Sequence, residues 1–404
     1  MKRVLIISYD WPPQGSVGMI RPVRFAKYLK RLGHEVSVVT KYDASGRTII
    51  WDIEDREIDA LAVRRVRLLP PTGIGACLKD KLNSQFESSF YYGLLDDMDG
   101  LIAGTDFDVV ISSSPPESAH AIAAEIKRRK KVLWIADLRD LWSDDHYRSF
   151  GLVARLLARA EESAILKRAD IILTVSDSWG HILRKRYGDR VKVVPNGYDK
   201  DYFDQIQLVD SDKFTISYLG KLNGCHQSIA NFFIALRTLL LKRSVSPDKI
   251  KADFYISGYG KPDISSMARA FGLSGIVTEY ATVPFAKALG VIKNSSLLLL
   301  VGWKGRSASG WRPQKLCEYL GSGTPILFVN GSENRELGSF LGSIENCKIA
   351  ERDGDISRQL EFYYDAFKSG RPIRSNRNSD IAAEYTASGM VKRLSDLMEA
   401  GDEI

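Results

Sequence analysis

Short, almost wholly apolar runs recur along this chain between segments of helical period, in two successive series separated by a polar break. The opening of the chain sets the pattern. Val4 to Ser8 reads as a strand, Trp11 to Gly18 as a proline- and glycine-containing loop, a helix starts near Ile20, and Glu35 to Thr40 is the next strand. Within that helix Phe25, Tyr28, Leu29 and Leu32 follow the i, i+3, i+4, i+7 spacing of one apolar face, and Gly33 supplies a left-handed stop. Further strand-length runs follow at Val63 to Leu68, Val109 to Ser112, Val132 to Ala136, Ile171 to Val175 and Val191 to Val194. Such runs do not alternate with polar residues, so they predict a parallel sheet covered by helices on both faces.

Asn196-Gly197-Tyr198-Asp199 interrupts the series, and an irregular polar stretch continues to Lys213. A second series then begins, with strands at Thr215 to Leu219, Ala252 to Ser257, Ile276 to Thr278, Ser296 to Val301 and Pro325 to Val329. Helices are expected between them at Ser228 to Lys242, Ile264 to Phe271, Phe285 to Lys293 and Pro313 to Leu320. A length of 404 residues suits two buried cores. The expected architecture is α/β, with two facing Rossmann-like domains, parallel sheets and a cleft between them. The N-terminal domain is placed at 1–205 and the C-terminal domain at 206–380. The segment 381–404, helical from Ala382 to Leu397, is expected to pack back toward the N-terminal domain.

Composition removes several other classes. Hydrophobic residues at 44% and charged residues at 26% argue against a disordered, collagen-like or coiled-coil chain. The apolar runs are too short to span a bilayer, and the start is too soon polar for a signal peptide, so the expected location is the cytoplasm. Cys77, Cys225, Cys317 and Cys347 have no zinc or disulfide spacing and are expected to be reduced thiols. The net charge of +7 lies mostly in the first half. So mild an excess fits a small anionic ligand or a membrane surface at least as well as nucleic acid, which usually brings denser basic clusters. The basic run Lys127 to Lys131 reads as a solvated helix end.

In open parallel sheets ligands bind at the carboxyl ends of strands, so the loops there carry the functional reading. After the first strand, Gly15 and Gly18 permit close backbone approach to an anion, and Arg21, one turn into the helix, can reach a phosphate. No GxGxxG fingerprint is present, which disfavours a nicotinamide-dependent enzyme. After Val132 to Ala136 stands Asp137-Leu138-Arg139-Asp140. Two readings stay open there: an internal ion pair that orders the loop, or a carboxylate beside a sugar hydroxyl held in orientation by Arg139. In the second series, Gly220-Lys221 ends the first strand and offers a point charge. The richest loop, Gly302 to Arg312, carries Lys304, Arg306, Gly310 and Arg312 and leads into a helix with Pro313 at its start and Gly321 and Gly323 at its stop. On that helix Lys315 and Glu318 share a face at i, i+3. Cations, amides and one acceptor in this arrangement suit a nucleoside diphosphate, with Glu318 on the ribose hydroxyls.

In order and spacing these pieces resemble the retaining glycosyltransferases of family 4, of the surface-polysaccharide type, over nearly the whole length. The resemblance rests on the first strand and loop ending in Arg21, Gly33-His34-Glu35-Val36, Ala169-Asp170, Pro195-Asn196-Gly197 with Asp199, Gly220-Lys221-Leu222, and Pro313 through Pro325. It implies the GT-B architecture and transfer of a sugar from a nucleotide sugar, UDP before GDP, to an acceptor hydroxyl with retention and without a metal or other cofactor. Glu318 matches the second glutamate of the family's E-x7-E motif, while Gly310 stands where the first would fall. Gly310, Pro313, Lys315 and Glu318 fit the variant Gly-x-x-Pro-x-Lys-x-x-Glu. Lys221 stands where the family usually has an arginine.

With no paired nucleophile and acid evident, front-face attack is the expected mechanism, in which the departing diphosphate receives the acceptor proton. Lys221, Lys315 and Arg306 are expected to stabilise that leaving group. Asp140 foremost, then Asp137, is expected to orient the acceptor or stabilise charge at the anomeric carbon. The acceptor is expected to be a glycan or a lipid-linked sugar in polysaccharide or glycan assembly. Two readings are open for the segment Thr72 to Gly104, with Phe86, Phe90, Tyr91, Tyr92, Leu94 and Leu95: a core helix, or an acceptor- or lipid-facing element. Lys79, Lys81 and the helix around Leu152 to Leu157 with Arg155 and Arg159 add a peripheral contact with the inner face of the membrane. The alternatives are a GT-B fold nucleotide-sugar epimerase, using the same donor site, and a two-domain protein that binds sugar without chemistry.

Overall fold

The computed structural model describes the chain except residues 43–49, 72–85, 104–105, 146–150, 225, 259, 306–307, 372, 375–383 and 402–404, and the side chain at 257. It divides into two compact units, Met1–Gly197 with Ala387–Ile404, and Tyr198–Thr386. The division falls at Gly197, ahead of the expected boundary at 205. The helix Lys200–Gln205 is the reason, because Phe203 is buried and Lys293 of the second unit donates to the carbonyls of Phe203 and Ile206.

In the first unit seven strands run parallel: β1 (Arg3–Ser8), β2 (Glu35–Lys41), β3 (Ala62–Val66), β4 (Val109–Ser114), β5 (Leu133–Leu138), β6 (Ile171–Thr174) and β7 (Val191–Val193). Their order is β3-β2-β1-β4-β5-β6-β7. The helix Ile20–Arg31 buries Phe25, Tyr28 and Leu29, whereas Leu32 falls past its last turn and is exposed. Gly33 follows at φ +87°, the left-handed stop. Between β3 and β4 the helix Ser88–Asp96 sends Phe90 and Leu94 into the core beside Phe86, with Tyr91 and Leu95 packed against it. Phe86, Phe90 and Leu94 therefore build the interior, as the core-helix reading expects, while Tyr92 is half-buried. Lys79 and Lys81 lie outside the described residues. The final helix Ala387–Ala400 buries Met390, Val391, Leu394 and Met398, and Lys2 donates to the Met398 carbonyl at 2.7 Å.

The second unit repeats the plan with β8 (Phe214–Lys221), β9 (Ile250–Ser257), β10 (Val277–Tyr280), β11 (Leu297–Val301), β12 (Ile326–Val329) and β13 (Cys347–Ala350) in the order β10-β9-β8-β11-β12-β13. All pairs are again parallel. Every residue of β11 is buried, as its unbroken Leu-Leu-Leu-Leu-Val run requires. In both sheets the winding reverses beside the first strand, between β1 and β4 and between β8 and β11. Loops leaving the carboxyl ends at these two points are the ones a doubly wound sheet offers to a ligand. Among the described residues no helix is long and apolar enough to cross a membrane.

Candidate functional site

At the reversal point of the second unit, the loops after β8 and β11 are tied together. Gln227 donates to the Val301 carbonyl at 2.8 Å, the Lys304 amide donates to the His226 carbonyl at 2.8 Å, and the rings of His226 and Trp303 stack with centroids 4.7 Å apart. The helix Gln314–Ser322 enters just beyond, with Pro313 as its N-terminal flank and no side-chain cap on its first amides. Tyr319 latches the helix to the sheet, its hydroxyl accepting from the Leu219 amide at 3.1 Å. One turn earlier on the same face, Lys315 is thereby held over the end of β8. Its ammonium donates to the Tyr218 hydroxyl at 2.7 Å and lies 3.9 Å from that ring's centroid.

This ammonium has no acidic partner among the described residues, and burial lowers its pKa to about 7. Lys221 ends β8 next to it, with its own carbonyl accepting from the Tyr218 hydroxyl at 2.6 Å and lying 3.4 Å from the Lys315 ammonium. The Lys221 side chain is exposed and lies along Gly258. Gly220, at φ +105°, would bring a Cβ within 3.2 Å of Lys315, so glycine there makes room for the lysine. The Lys315 ammonium thus stands at the end of β8 near an uncapped helix N-terminus, with the exposed Lys221 side chain leaving the same strand end along Gly258. Glu318 is buried on the same helix and accepts from Gln314 at 2.9 Å. Gly310 has φ +81°, a conformation that disfavours any side chain, so the position of the missing glutamate is a backbone turn.

Other cations of the same loop part company. Lys304 is exposed, and Arg306 lies outside the described residues. Arg312 turns away, bonded to Glu336 at 3.1 Å and to the Tyr385 hydroxyl at 3.1 Å, with its guanidinium over the Phe340 ring, so it braces the fold. Gly323, at φ +70°, is the helix stop, whereas Gly321 lies inside the helix. A Cβ on Gly321 would stand 2.5 Å from the Tyr198 ring, so its role is packing.

The first unit corrects several expectations. Arg21 does not reach outward: it is buried and makes a bidentate pair with Asp137, at 3.0 Å to both oxygens from Nε and 2.8 Å from Nη2. Asp137 also accepts from Ser113 at 2.8 Å and is itself enclosed. Its carboxylate holds β5, β4 and the first helix together and has no face left for an acceptor. Arg139 donates to the carbonyls of Ser114 and Pro115 at 2.8 and 2.6 Å and to that of Gly18. It is a clamp on three carbonyls, and burial lowers its pKa despite nearby Asp137 and Asp140. Gly15 and Gly18 are explained by these side chains: a Cβ on Gly18 would lie 2.4 Å from Arg139, and one on Gly15 would lie 2.8 Å from the Asp10 side chain. At both positions glycine makes room for a side chain of the same unit. Asp140 remains half-buried at the carboxyl end of β5.

Residues 21–197 match the model of the glycosyl transferase 4-like domain. The match covers most of the first unit of the chain. No curated protein matches it by sequence. Among solved structures the chain is similar to sucrose-phosphate synthase from Thermosynechococcus elongatus, at 14% identity, with 99% of each chain covered and a TM-score of 0.69. It is also similar to WaaG, a glycosyltransferase involved in lipopolysaccharide biosynthesis, at 15% identity, with 98% of this chain and 99% of that one covered and a TM-score of 0.58. A UDP-N-acetylglucosamine 2-epimerase gives 14% identity, 100% and 98% coverage and a TM-score of 0.59. At these identities the likeness is one of fold, GT-B.

Two groups escaped the sequence reading. Tyr218, whose hydroxyl positions Lys315, looks like any other strand aromatic. His120 is fully buried in the first turn of the helix Ser118–Arg129. Trp134 donates to the Ser112 hydroxyl at 2.8 Å, and that hydroxyl meets His120 Nδ1 at 2.7 Å. Ser112 and His120 Nδ1 thus share a buried hydrogen bond whose direction follows the imidazole tautomer. Burial lowers the His120 pKa to about 3, so the ring is neutral at physiological pH. A histidine in an alanine-rich turn after β4 was the one available signal.

Proposed function

We propose that this chain is a glycosyltransferase that moves a sugar from a nucleoside diphosphate sugar to an acceptor hydroxyl with retention of anomeric configuration, in polysaccharide or glycan assembly. The observation that carries the reading is the Lys315 ammonium, held beside Lys221 at the end of β8 with no acidic partner among the described residues. A diphosphate supplies the missing negative charge. Lys221, Lys315 and Arg306 take its oxygens, Glu318 accepts from the ribose hydroxyls, and Gly310 lets the loop approach. Uridine is the base that the family resemblance favours, ahead of guanosine. In the transfer step the acceptor oxygen attacks the anomeric carbon on the face from which the diphosphate leaves. The carbon–oxygen bond to the diphosphate breaks, and the acceptor proton passes to the departing phosphate oxygen. Lysines neutralise the charge that grows there, so the reading includes no metal. Asp140 orients the acceptor, Asp137 having been taken by Arg21. The acceptor is a glycan or a lipid-linked sugar.

A thermal-shift panel of nucleoside diphosphates tests the donor class, since a ligand at 100 times its Kd stabilises by about 2.7 kcal/mol. UDP is expected to give the largest shift; no shift with any nucleoside diphosphate would overturn the proposal. Glu318→Gln, which keeps the side-chain volume, is expected to raise the Kd for UDP by roughly tenfold, the worth of a hydrogen bond to a charged acceptor. Calorimetry showing an unchanged Kd would remove Glu318 from the ribose. The likeness to the epimerase gives a second reading a definite test: nucleotide sugar incubated with enzyme alone should be recovered with its stereochemistry intact.

A further inference from the structure

The edge of the second sheet differs from its interior. Alternate residues of a strand point to opposite faces, and in a doubly wound sheet helices cover both. On one face of β9, Ala252, Phe254 and Ile256 are buried in the core of the second unit. The other face carries Lys251, Asp253 and Tyr255. Across from them on the edge strand β10, Thr278 stands opposite Asp253 and Tyr280 opposite Tyr255. Thr278 and Tyr280 are exposed and Tyr255 is half-buried, so this rung of the sheet is only partly covered. The two tyrosine rings stack, with centroids 4.7 Å apart and planes 14° from parallel. Tyr255 thus braces Tyr280 on its inner side. No strand pairs with β10 beyond it, which leaves the outer side of the Tyr280 ring toward the sheet edge.

The chemistry of this face selects its occupant. Every ionised side chain of the two strands is in an ion pair: Lys251 with Asp253 at 2.9 Å, and Glu279, on the opposite face, with Lys261. The next charge along the chain, Lys287, is seven positions beyond Tyr280 in the helix Phe285–Asn294. These strands therefore give a polyanion or polycation little to hold. What they offer is a braced aromatic ring beside the Thr278 hydroxyl, two phenol groups, and an ion pair with one acceptor and one donor end. An uncharged sugar ring matches this set, because its C–H face packs on an aromatic ring while the hydroxyls of its rim both donate and accept. A tyrosine already held by its neighbour loses little conformational freedom on contact. A second copy of the chain fits less well. The face offers on the order of a few hundred Å², short of the ~800 Å² per partner of a stable interface.

We propose that Tyr280, braced by Tyr255, docks an uncharged glycan chain at the edge of the second unit. Because β10 lies two strands from β8, about 10 Å, a chain held there keeps its sugars at high local concentration near Lys221 and Lys315. That consequence rests on the proposed function, whereas the docking itself does not.

The test is affinity electrophoresis of the full chain in native gels containing dextran, pullulan, galactomannan or xyloglucan, without nucleotide, so that it reads docking independently of transfer. At least one of these neutral polymers is expected to retard the protein. Tyr280→Ala is expected to raise the Kd for that polymer about tenfold while leaving the UDP-induced thermal shift in place, and Tyr280→Phe, which keeps the ring, to stay within about threefold of the unaltered protein. Unretarded migration in all four gels would overturn the proposal. So would equal retardation of Tyr280→Ala, a loss of the UDP shift in that variant, which would give the tyrosines to the nucleotide, or a dimer that the substitution dissociates. Were the unaltered protein itself to show no nucleotide shift, the proposed function would fail while a positive docking result would stand.

Discussion

Asp137→Ala is expected to destabilise the first unit by about 3 to 5 kcal/mol, the cost of leaving one member of a buried ion pair without the other. Arg21 and Asp137 are 2% and 0% exposed, and no water-facing route is open to the guanidinium once the carboxylate is gone. Its remaining partner of formal bonding strength is the Asn196 side chain at 3.1 Å. Ser113, too, would lose its acceptor. The measurement is denaturant unfolding followed by tryptophan fluorescence, with the two units allowed separate transitions. The UDP-induced shift of the second unit should survive, because none of Lys221, Lys315 or Glu318 depends on this pair. The companion variant Arg21→Met with Asp137→Leu should recover most of the loss, since apolar residues of similar volume replace buried pairs at little cost. If Asp137→Ala instead kept its stability while losing transfer activity, the carboxylate would belong to the reaction and the structural assignment would fall.

That pair also shows where sequence reasoning stops. Arg21 and Asp137 stand 116 positions apart, so nothing local announces that each is consumed by the other. Both looked like site residues because charged groups at strand ends have poor reason to be there unless paired or bound, and here the pairing explanation holds. Arg139 was hidden for a different reason: its partners are backbone carbonyls, which have no letter in the sequence. Gly15, Gly18 and Gly321 were read as conformational devices, and the space they leave is filled by Asp10, Arg139 and Tyr198 from elsewhere in the chain. Lys315 and Glu318 were legible because their relation is local, one helical turn, and the helix carrying them is framed by Pro313 and Gly323. The strands were legible wherever both faces are covered. The edge strand β13 was not, since Lys348 and Ile349 interrupt its buried ends and leave no apolar run. The helices Arg335–Gly342 and Asp353–Lys368 went unassigned with it.

Lys315→Met is expected to lower kcat by roughly 10²- to 10³-fold, the effect of removing one preorganised donor from a site where charge develops, about 2.7 to 4 kcal/mol. Methionine keeps the length and the contact with the Tyr218 ring while deleting the charge, so the helix latched by Tyr319 should stay in place. A second readout separates this electrostatic role from mere packing. Burial lowers the pKa of Lys315 to about 7 in the unliganded protein. A bound diphosphate favours the ammonium form and raises that pKa. Below pH 7 the group is protonated in both states and contributes no pH dependence to binding. Above pH 7 the free protein loses the proton while the complex keeps it, so binding takes up a proton and affinity falls as pH rises, by up to about tenfold per unit. A nucleotide sugar is the right ligand for this measurement because its diphosphate, esterified at both ends, does not itself titrate near neutrality. Calorimetry in two buffers of different ionisation enthalpy at pH 8 should therefore report proton uptake in the unaltered protein and none from this source in Lys315→Met. Identical proton uptake in the two proteins would mean that the ammonium does not face the diphosphate, and the assignment of the leaving-group site to the end of β8 would have to be abandoned.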